Sequence, residues 1–158
     1  MSDKVLAKNE ARDNAAALLE TARQRAQELG LPYAGAVTPA EAWALQNAGA
    51  AAIVDVRTVP EWQLVGHVPG VPLIEWPRDG NELALRSFLT KLRQEFDPGK
   101  PLLILCRSGV RSHYAAELAT RAGFRAAYNV LEGFEGNEPG NGWRAAGLPS
   151  AKGQGPQR

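Results

Sequence analysis

Short apolar runs alternate along the chain with segments in which apolar residues recur at helical spacing. The run Leu102 to Leu105 is wholly aliphatic and follows a Pro- and Gly-containing segment at 97–101, which predicts a short strand buried on both faces. Further strands are predicted at 51–56, 71–74 and 125–130. Because strands and helices alternate, the pattern predicts an α/β fold with three layers, α/β/α, and a central, mainly parallel sheet of about five strands.

Helices are predicted on both faces of this sheet. The sequence Thr38-Pro39-Ala40-Glu41 is a capping box with proline at the first helical position, and it predicts a helix that ends near Gly49. Apolar residues at helical spacing predict further helices over 83–96 and 112–122.

An alanine-rich N-terminal extension precedes the predicted domain. Residues 10–29 carry an apolar stripe and are followed by a linker at 31–35; the stripe comprises Ala11, Ala15, Leu18, Ala22, Ala26 and Leu29. The helix could lie on its own domain, or it could contact a second copy or a partner. A stripe made mostly of alanine buries little apolar area, which favours the first interpretation and predicts a monomer or a weak homodimer.

The length of 158 residues fits one domain with a sizeable core. We expect residues 1–35 to form the helical extension and linker, 36–150 the domain, and 151–158 a disordered tail. A net charge of +1 gives no reason to expect nucleic acid or an anionic membrane as a partner. The N-terminus lacks the apolar run of a signal peptide and no stretch reaches transmembrane length, so a cytoplasmic location is expected.

The candidate chemistry lies in the turn that follows the strand at 102–105. This turn begins with Cys106, the one cysteine of the chain, and ends in Arg111. Backbone N–H groups of the turn and of the next helix can form an anion-binding cradle, and two arginines add positive charge. These features favour the thiolate, which is the nucleophilic form of cysteine. The alternative is a small buried hydrophobe at a strand end, and the residues around Cys106 argue against it.

Residues 106–112 resemble the active-site loop of the rhodanese family. Two further groups of segments are similar to the family's upstream and closing signatures, and they occur in the same order. The upstream group is Val54-Asp55-Val56-Arg57, Glu61-Trp62 and 66–71, and the closing group is 129–134, Asn141-Gly142-Trp143 and 147–149.

The resemblance implies a rhodanese-like fold and a sulfurtransferase. Such an enzyme moves a sulfane sulfur from thiosulfate or a persulfide donor to a thiol or cyanide acceptor, through a persulfide on Cys106. It implies no metal and no cofactor. The residues that it assigns to substrate binding are Arg107, Ser108, Gly109, Val110 and Arg111, with the two arginine side chains attracting an anionic donor.

Asp55, Arg57 and Ser112 are expected to support the loop rather than to react. Arg57 could pair with Glu61, while Asp55 could accept backbone donors; of these two, Asp55 is expected to reach the loop. His113 lies in the first turn of the helix after the loop and is interpreted as a surface or packing residue.

Other functions remain open. Phosphatases that use Cys and Arg need five residues between them to surround a phosphoryl group, whereas four separate Cys106 from Arg111, which suits sulfur better than phosphatase or arsenate reductase chemistry. A binding or regulatory module on the same fold is a second alternative. A persulfide carrier that serves a sulfur-relay protein is a third, with the N-terminal helix as the surface for that partner.

Overall fold

A four-stranded parallel sheet forms the centre of the protein in a computed structural model that describes residues 3–153. The strands are β1 (Gly35–Val37), β2 (Ala52–Asp55), β3 (Leu102–Leu105) and β4 (Ala127–Val130), arranged in the order β1-β4-β3-β2. Every pairing is parallel. The predicted strand at 102–105 is therefore confirmed, and it lies inside the sheet with a neighbour on each side.

Five helices surround the sheet among the described residues. They are α1 (Asp3–Leu29), α2 (Pro39–Asn47), α3 (Val59–Leu64), α4 (Glu82–Glu95) and α5 (Val110–Arg121). The predicted capping box opens α2, with Thr38 accepting from the Glu41 backbone and Glu41 accepting from that of Thr38. A second capping box, Thr58 with Glu61, opens α3 in the same way. None of the helices in residues 3–153 is long and apolar enough to cross a membrane.

The strand predicted at 71–74 is wrong, and β1 was not predicted, so the sheet has four strands rather than about five. Residues 71–74 run beside β2 but form only one isolated bridge, between Leu73 and Asp55. The Asp55 N–H donates to the Pro72 carbonyl at 2.9 Å, and the Ile74 N–H donates to the Asp55 carbonyl at 2.8 Å. Pro72 itself has no N–H to extend a ladder, which explains why this edge segment stays irregular.

The two faces of the sheet bury separate apolar clusters, which confirms the three-layer fold. One cluster joins Leu103, Leu105, Tyr128 and Val130 to residues of α1 and α2. The other joins Leu102, Ile104, Cys106 and Ala127 to residues of α4 and α5. Because side chains alternate along a strand, neighbouring residues of β3 contribute to opposite layers.

Helix α1 packs against its own domain through Ala15, Ala22 and Ala26, all buried. Ala11 and Leu29, the ends of the predicted stripe, are exposed. The predicted linker is partly wrong, because Gly35 already belongs to β1. In the predicted tail, 154–158 lie outside the described residues, and Ala151 pairs with His67 in an antiparallel bridge.

Candidate active site

Cys106 follows the last residue of β3, at the carboxyl edge of the sheet. Its side chain is 1% exposed, and helix α5 begins four residues later at Val110. The Val56 N–H donates to the Leu105 carbonyl at 2.8 Å, which holds the end of β2 against the start of the loop. This edge is where open α/β sheets place their ligands.

Two groups contact the sulfur of Cys106. The Gly109 backbone N–H donates to Sγ at 3.1 Å, and the Ser112 hydroxyl oxygen lies 3.1 Å from Sγ. The backbone N–H groups of Arg107 and Ser108 donate to no acceptor among residues 3–153. The two residues that follow Cys106 therefore have free backbone donors, of the kind that hold an anion or a negatively charged sulfur.

Two glycines give the loop its shape. Gly109 has φ of 96°, a left-handed conformation that glycine adopts without steric cost. Gly133 packs directly against the loop backbone. A Cβ at this position would overlap the Arg107 carbonyl and lie 2.6 Å from Ser108 N. The next residue, Phe134, donates its N–H to the Cys106 carbonyl at 2.8 Å. Residues 133 and 134 thus support the loop through direct backbone contact.

A buried chain of polar side chains leads away from the sulfur. Ser112 donates to Asn129 Oδ1 at 2.5 Å, and Asn129 Nδ2 donates to the Tyr33 hydroxyl at 3.3 Å and to the Gly109 carbonyl at 3.2 Å. The Tyr33 hydroxyl lies 2.8 Å from His113 Nδ1. Burial raises the pKa of Tyr33 above 10.0 although the Asn129 hydrogen bond opposes that shift.

The orientation of Asn129 follows from its partners. A backbone carbonyl can only accept, so the amide NH₂ must face Gly109 and the amide oxygen must face Ser112. The Ser112 hydroxyl can donate one hydrogen bond, and Asn129 Oδ1 accepts it. A thiolate on Cys106 would compete with Asn129 for that hydrogen bond. Asn129 thus acts on both residues that contact the sulfur.

Asn129→Asp is expected to slow alkylation of Cys106 by iodoacetamide at pH 7 by about tenfold. A carboxylate cannot donate a hydrogen bond to the Gly109 carbonyl. Its negative charge would also disfavour the thiolate of Cys106, because only the Ser112 hydroxyl lies between the two groups. The change preserves side-chain size, so the fold should persist. The matched control is Asn47→Asp at the exposed end of α2, which should alkylate at the wild-type rate. Equal rates for the two variants would contradict this role of Asn129.

Arg111 is held by Glu61. The guanidinium donates twice to the Glu61 carboxylate, with both distances 2.7 Å. Burial alone would raise the pKa of Glu61, but hydrogen bonds from Arg111 and Thr58 outweigh it and lower the pKa from 4.5 to about 2. The contribution of this pair to stability is therefore complete above pH 4.5 and is lost as the pH falls through about 2.

The surroundings of Arg107 argue against a role in substrate binding alone. Its side chain is 63% exposed and its Nε lies 3.3 Å from the Glu135 carboxylate. Val110 is also exposed, at 59%. Both loop arginines thus already face a carboxylate, and the backbone N–H groups of the loop are its least satisfied donors.

Asp55 and Arg57 form a buried ion pair. Arg57 donates through Nη2 to Asp55 Oδ2 at 2.8 Å and through Nε to Oδ1 at 3.1 Å, and both side chains are almost fully buried. Arg57 also donates to the Gly66 carbonyl at 2.7 Å. The expected pairing of Arg57 with Glu61 is wrong, because Glu61 binds Arg111 instead. Among the described residues, no hydrogen bond joins Asp55 to the loop.

Several residues at the site escaped the sequence analysis: Asn129, Tyr33 and Glu61 as hydrogen-bonding partners, and Gly133 as a backbone contact. For Glu61 a signal was available, since Thr58 and Glu61 have the spacing of a capping box. No group of three His, Cys, Asp or Glu residues within 3–153 could hold a metal ion.

Comparison with protein families matches residues 38–138 to the rhodanese-like domain, which is more than half of the chain. This chain belongs to the rhodanese-like family. The predicted family is thus confirmed, and the matched range contains Cys106, the loop and Asn129, whereas Tyr33 precedes it.

Relatives of this rhodanese-like protein include both uncharacterized proteins and a sulfurtransferase. It is 35% identical over 104 residues to an uncharacterized protein of Rickettsia prowazekii, an alignment that covers 61% of this chain and 80% of the relative. It is 28% identical over 113 residues to the thiosulfate sulfurtransferase GlpE of Actinobacillus pleuropneumoniae, covering 72% of this chain and 89% of the relative.

Among solved structures, it resembles the crystal structure of Rv0390 from M. tuberculosis. The TM-score is 0.65 with 43% sequence identity, over 77% of this chain and 99% of the other. The fold is thus shared with a solved structure over most of this chain, in agreement with the rhodanese-like domain match.

Proposed function

We propose that this protein is a sulfurtransferase that carries a sulfane sulfur on Cys106. The observation that supports this most directly is the loop around Sγ, where Gly109 donates to the sulfur and the N–H groups of Arg107 and Ser108 have no acceptor among the described residues. The likeness to a thiosulfate sulfurtransferase is in agreement. The four residues between Cys106 and Arg111 favour sulfur over a phosphoryl group, as the sequence analysis argued.

The first half-reaction loads the enzyme. The Cys106 thiolate attacks the outer sulfur of thiosulfate, a new S–S bond forms, and the old S–S bond breaks with its electron pair leaving on sulfite. The persulfide anion that results keeps one negative charge on its outer sulfur. The free N–H groups of the loop are the donors that would stabilise that charge.

The second half-reaction unloads the enzyme. An acceptor such as cyanide attacks the outer sulfur, the bond to Cys106 Sγ breaks, and the thiolate is regenerated. No proton has to move in either step, so the chemistry needs no general base. A persulfide donor could replace thiosulfate in the first step, because it offers the same outer sulfur. It carries less negative charge than thiosulfate and so depends less on the two loop arginines, which already lie next to carboxylates.

Intact mass spectrometry tests the proposal. Incubation with thiosulfate is expected to add the mass of one sulfur atom, and cyanide is expected to remove it with release of thiocyanate. Protein alkylated beforehand at its one cysteine is the control and should gain nothing. If reduced protein gains no mass from thiosulfate or from a small persulfide donor, the proposed function is overturned.

A further inference from the structure

His113 lies at the outer end of the buried polar chain that starts at the sulfur of Cys106. Its ring is half-buried, and Nδ1 lies 2.8 Å from the Tyr33 hydroxyl. The two rings pack edge-on, with centroids 5.2 Å apart, and Tyr33 itself is 7% exposed. The imidazole, which the sequence analysis interpreted as a surface or packing residue, therefore connects a buried hydrogen-bond chain with the surface of α5.

The hydrogen bonds of this chain all run in one direction when Cys106 is a thiol. Asn129 Oδ1 accepts from the Ser112 hydroxyl, so the Ser112 oxygen is left to accept from the thiol. On its other side, Asn129 donates through Nδ2 to the Tyr33 oxygen. The one proton of the Tyr33 hydroxyl then points to Nδ1, so neutral His113 carries its own proton on Nε2. Every donor thus points away from the sulfur.

This direction disfavours the thiolate. Tyr33 keeps its proton at neutral pH, because burial raises its pKa above 10.0. A hydroxyl that donates is also a better acceptor, so the bond from Tyr33 to a neutral imidazole strengthens the bonds behind it, including that from Ser112 to Asn129. A thiolate needs the same Ser112 donor, since only the Gly109 N–H also contacts the sulfur among the described residues.

Protonation of His113 reverses the last hydrogen bond of the chain. An imidazolium has a proton on both ring nitrogens, so Nδ1 donates to the Tyr33 oxygen instead of accepting from it. That oxygen then receives two donors, and its bond from Asn129 weakens. Asn129 Oδ1 becomes a weaker acceptor, which allows the Ser112 hydroxyl to turn to the sulfur. The positive charge of the ring acts in the same sense, because it favours a negative charge on Cys106.

The imidazole has few charged neighbours among residues 3–153. The segment 31–34 and strand β4 contain no charged side chain. On α5, Tyr114 packs edge-on against the His113 ring, with centroids 5.3 Å apart. Glu117 lies one turn further along and is paired with Arg121 at 3.4 Å. Because that pair carries no net charge, the protonation of His113 itself sets the charge at this end of the chain.

We propose that His113 is a positioning residue for the nucleophile: when it gains a proton, the buried chain shifts and favours the thiolate of Cys106. The site then retains more of its thiolate as the pH falls through the range in which histidine becomes charged. This inference deepens the proposed function and rests on it, because sulfur transfer needs the thiolate.

Alkylation of Cys106 by iodoacetamide at pH 5 and at pH 8 tests the proposal, because its rate follows the fraction of thiolate. His113→Phe keeps an aromatic ring beside Tyr33 but cannot gain a proton. The ratio of the wild-type rate to the His113→Phe rate is expected to be about fivefold larger at pH 5 than at pH 8, at the lower end of the range for coupled sites. A purely structural effect would change the rate by the same factor at both pH values.

Tyr33→Phe separates the hydrogen-bond chain from a direct effect of charge. It leaves His113 able to gain a proton but removes the hydroxyl that joins this ring to Asn129. The ratio of the wild-type rate to the Tyr33→Phe rate should therefore also be larger at pH 5 than at pH 8. A Tyr33→Phe variant that keeps the wild-type pH dependence would overturn the proposal.

The matched control is His67→Phe, because His67 is the other histidine of the chain and its ring stacks on Trp62 with centroids 3.4 Å apart. This variant should alkylate with the wild-type pH dependence. Since alkylation needs no sulfur donor, a larger ratio at pH 5 supports the coupling even if thiosulfate fails to load Cys106. Equal pH dependence in His113→Phe and His67→Phe, with Cys106 loading normally, overturns the role of His113 and leaves the sulfurtransferase function standing.

Discussion

Replacing Cys106 by serine is expected to abolish sulfur transfer from thiosulfate to cyanide, with a fall in rate of at least about a thousandfold. A serine hydroxyl is neutral at pH 7 and a far poorer nucleophile toward sulfur than a thiolate. Serine retains an acceptor for the Gly109 N–H, so the loop should keep its shape. Thiocyanate release measures the rate, and mass spectrometry should show no sulfur added to the variant.

The melting temperature of the Cys106→Ser variant is the control for this experiment. It is expected to lie within a few degrees of the wild-type value, because the site keeps its backbone hydrogen bonds and loses little apolar area. A variant that is folded and still turns over thiosulfate at more than a few per cent of the wild-type rate would exclude Cys106 as the sulfur carrier.

Replacing Arg57 by leucine is expected to lower the free energy of unfolding by about 3–5 kcal/mol, because the Asp55 carboxylate would remain buried without its counter-ion. The Gly66 carbonyl would also lose its donor, and the guanidinium contact with the Phe134 ring at 4.2 Å would disappear. A fall in melting temperature of about 10 °C or more should accompany the change.

The control is Arg86→Leu, which removes an arginine from the exposed pair with Glu82 on α4. Exposed pairs contribute little, so this variant should unfold almost as the wild type does. The double variant Asp55→Leu with Arg57→Leu should recover part of the stability that Arg57→Leu loses, since no charge is left unpaired. If Arg57→Leu is as stable as Arg86→Leu, the buried pair has no structural role.

The position of β3, the strand that precedes Cys106, could be predicted because four consecutive aliphatic residues require burial on both faces. The same criterion failed twice, because it predicted a strand at 71–74 and missed β1 at 35–37. Residues 71–74 are apolar enough for a strand, but the criterion ignores the missing N–H of Pro72 and the place of this segment at the edge of the sheet.

Partners of the charged residues were harder to predict, because spacing along one element says nothing of what the fold brings close. Arg57 and Glu61 are four residues apart, yet Glu61 binds Arg111, which lies 50 residues away. Tyr33 and Asn129 are 96 residues apart and meet only after β1 has paired with β4. Asn129 opens the family-like segment 129–134 and Tyr33 lies in the predicted linker, but nothing in either stretch indicates that the two side chains meet, so only the assembled sheet reveals this contact.

The unit that is recognised by family comparison is shorter than the unit that folds. The matched range begins at residue 38, one position after β1 ends, and stops at 138, before the fully buried Trp143. A fragment trimmed to those limits would turn β4 into an open edge strand and remove Tyr33 from Asn129. Expression or domain-swap experiments on this chain should therefore take their boundaries from the paired strands, which place the first cut ahead of Tyr33.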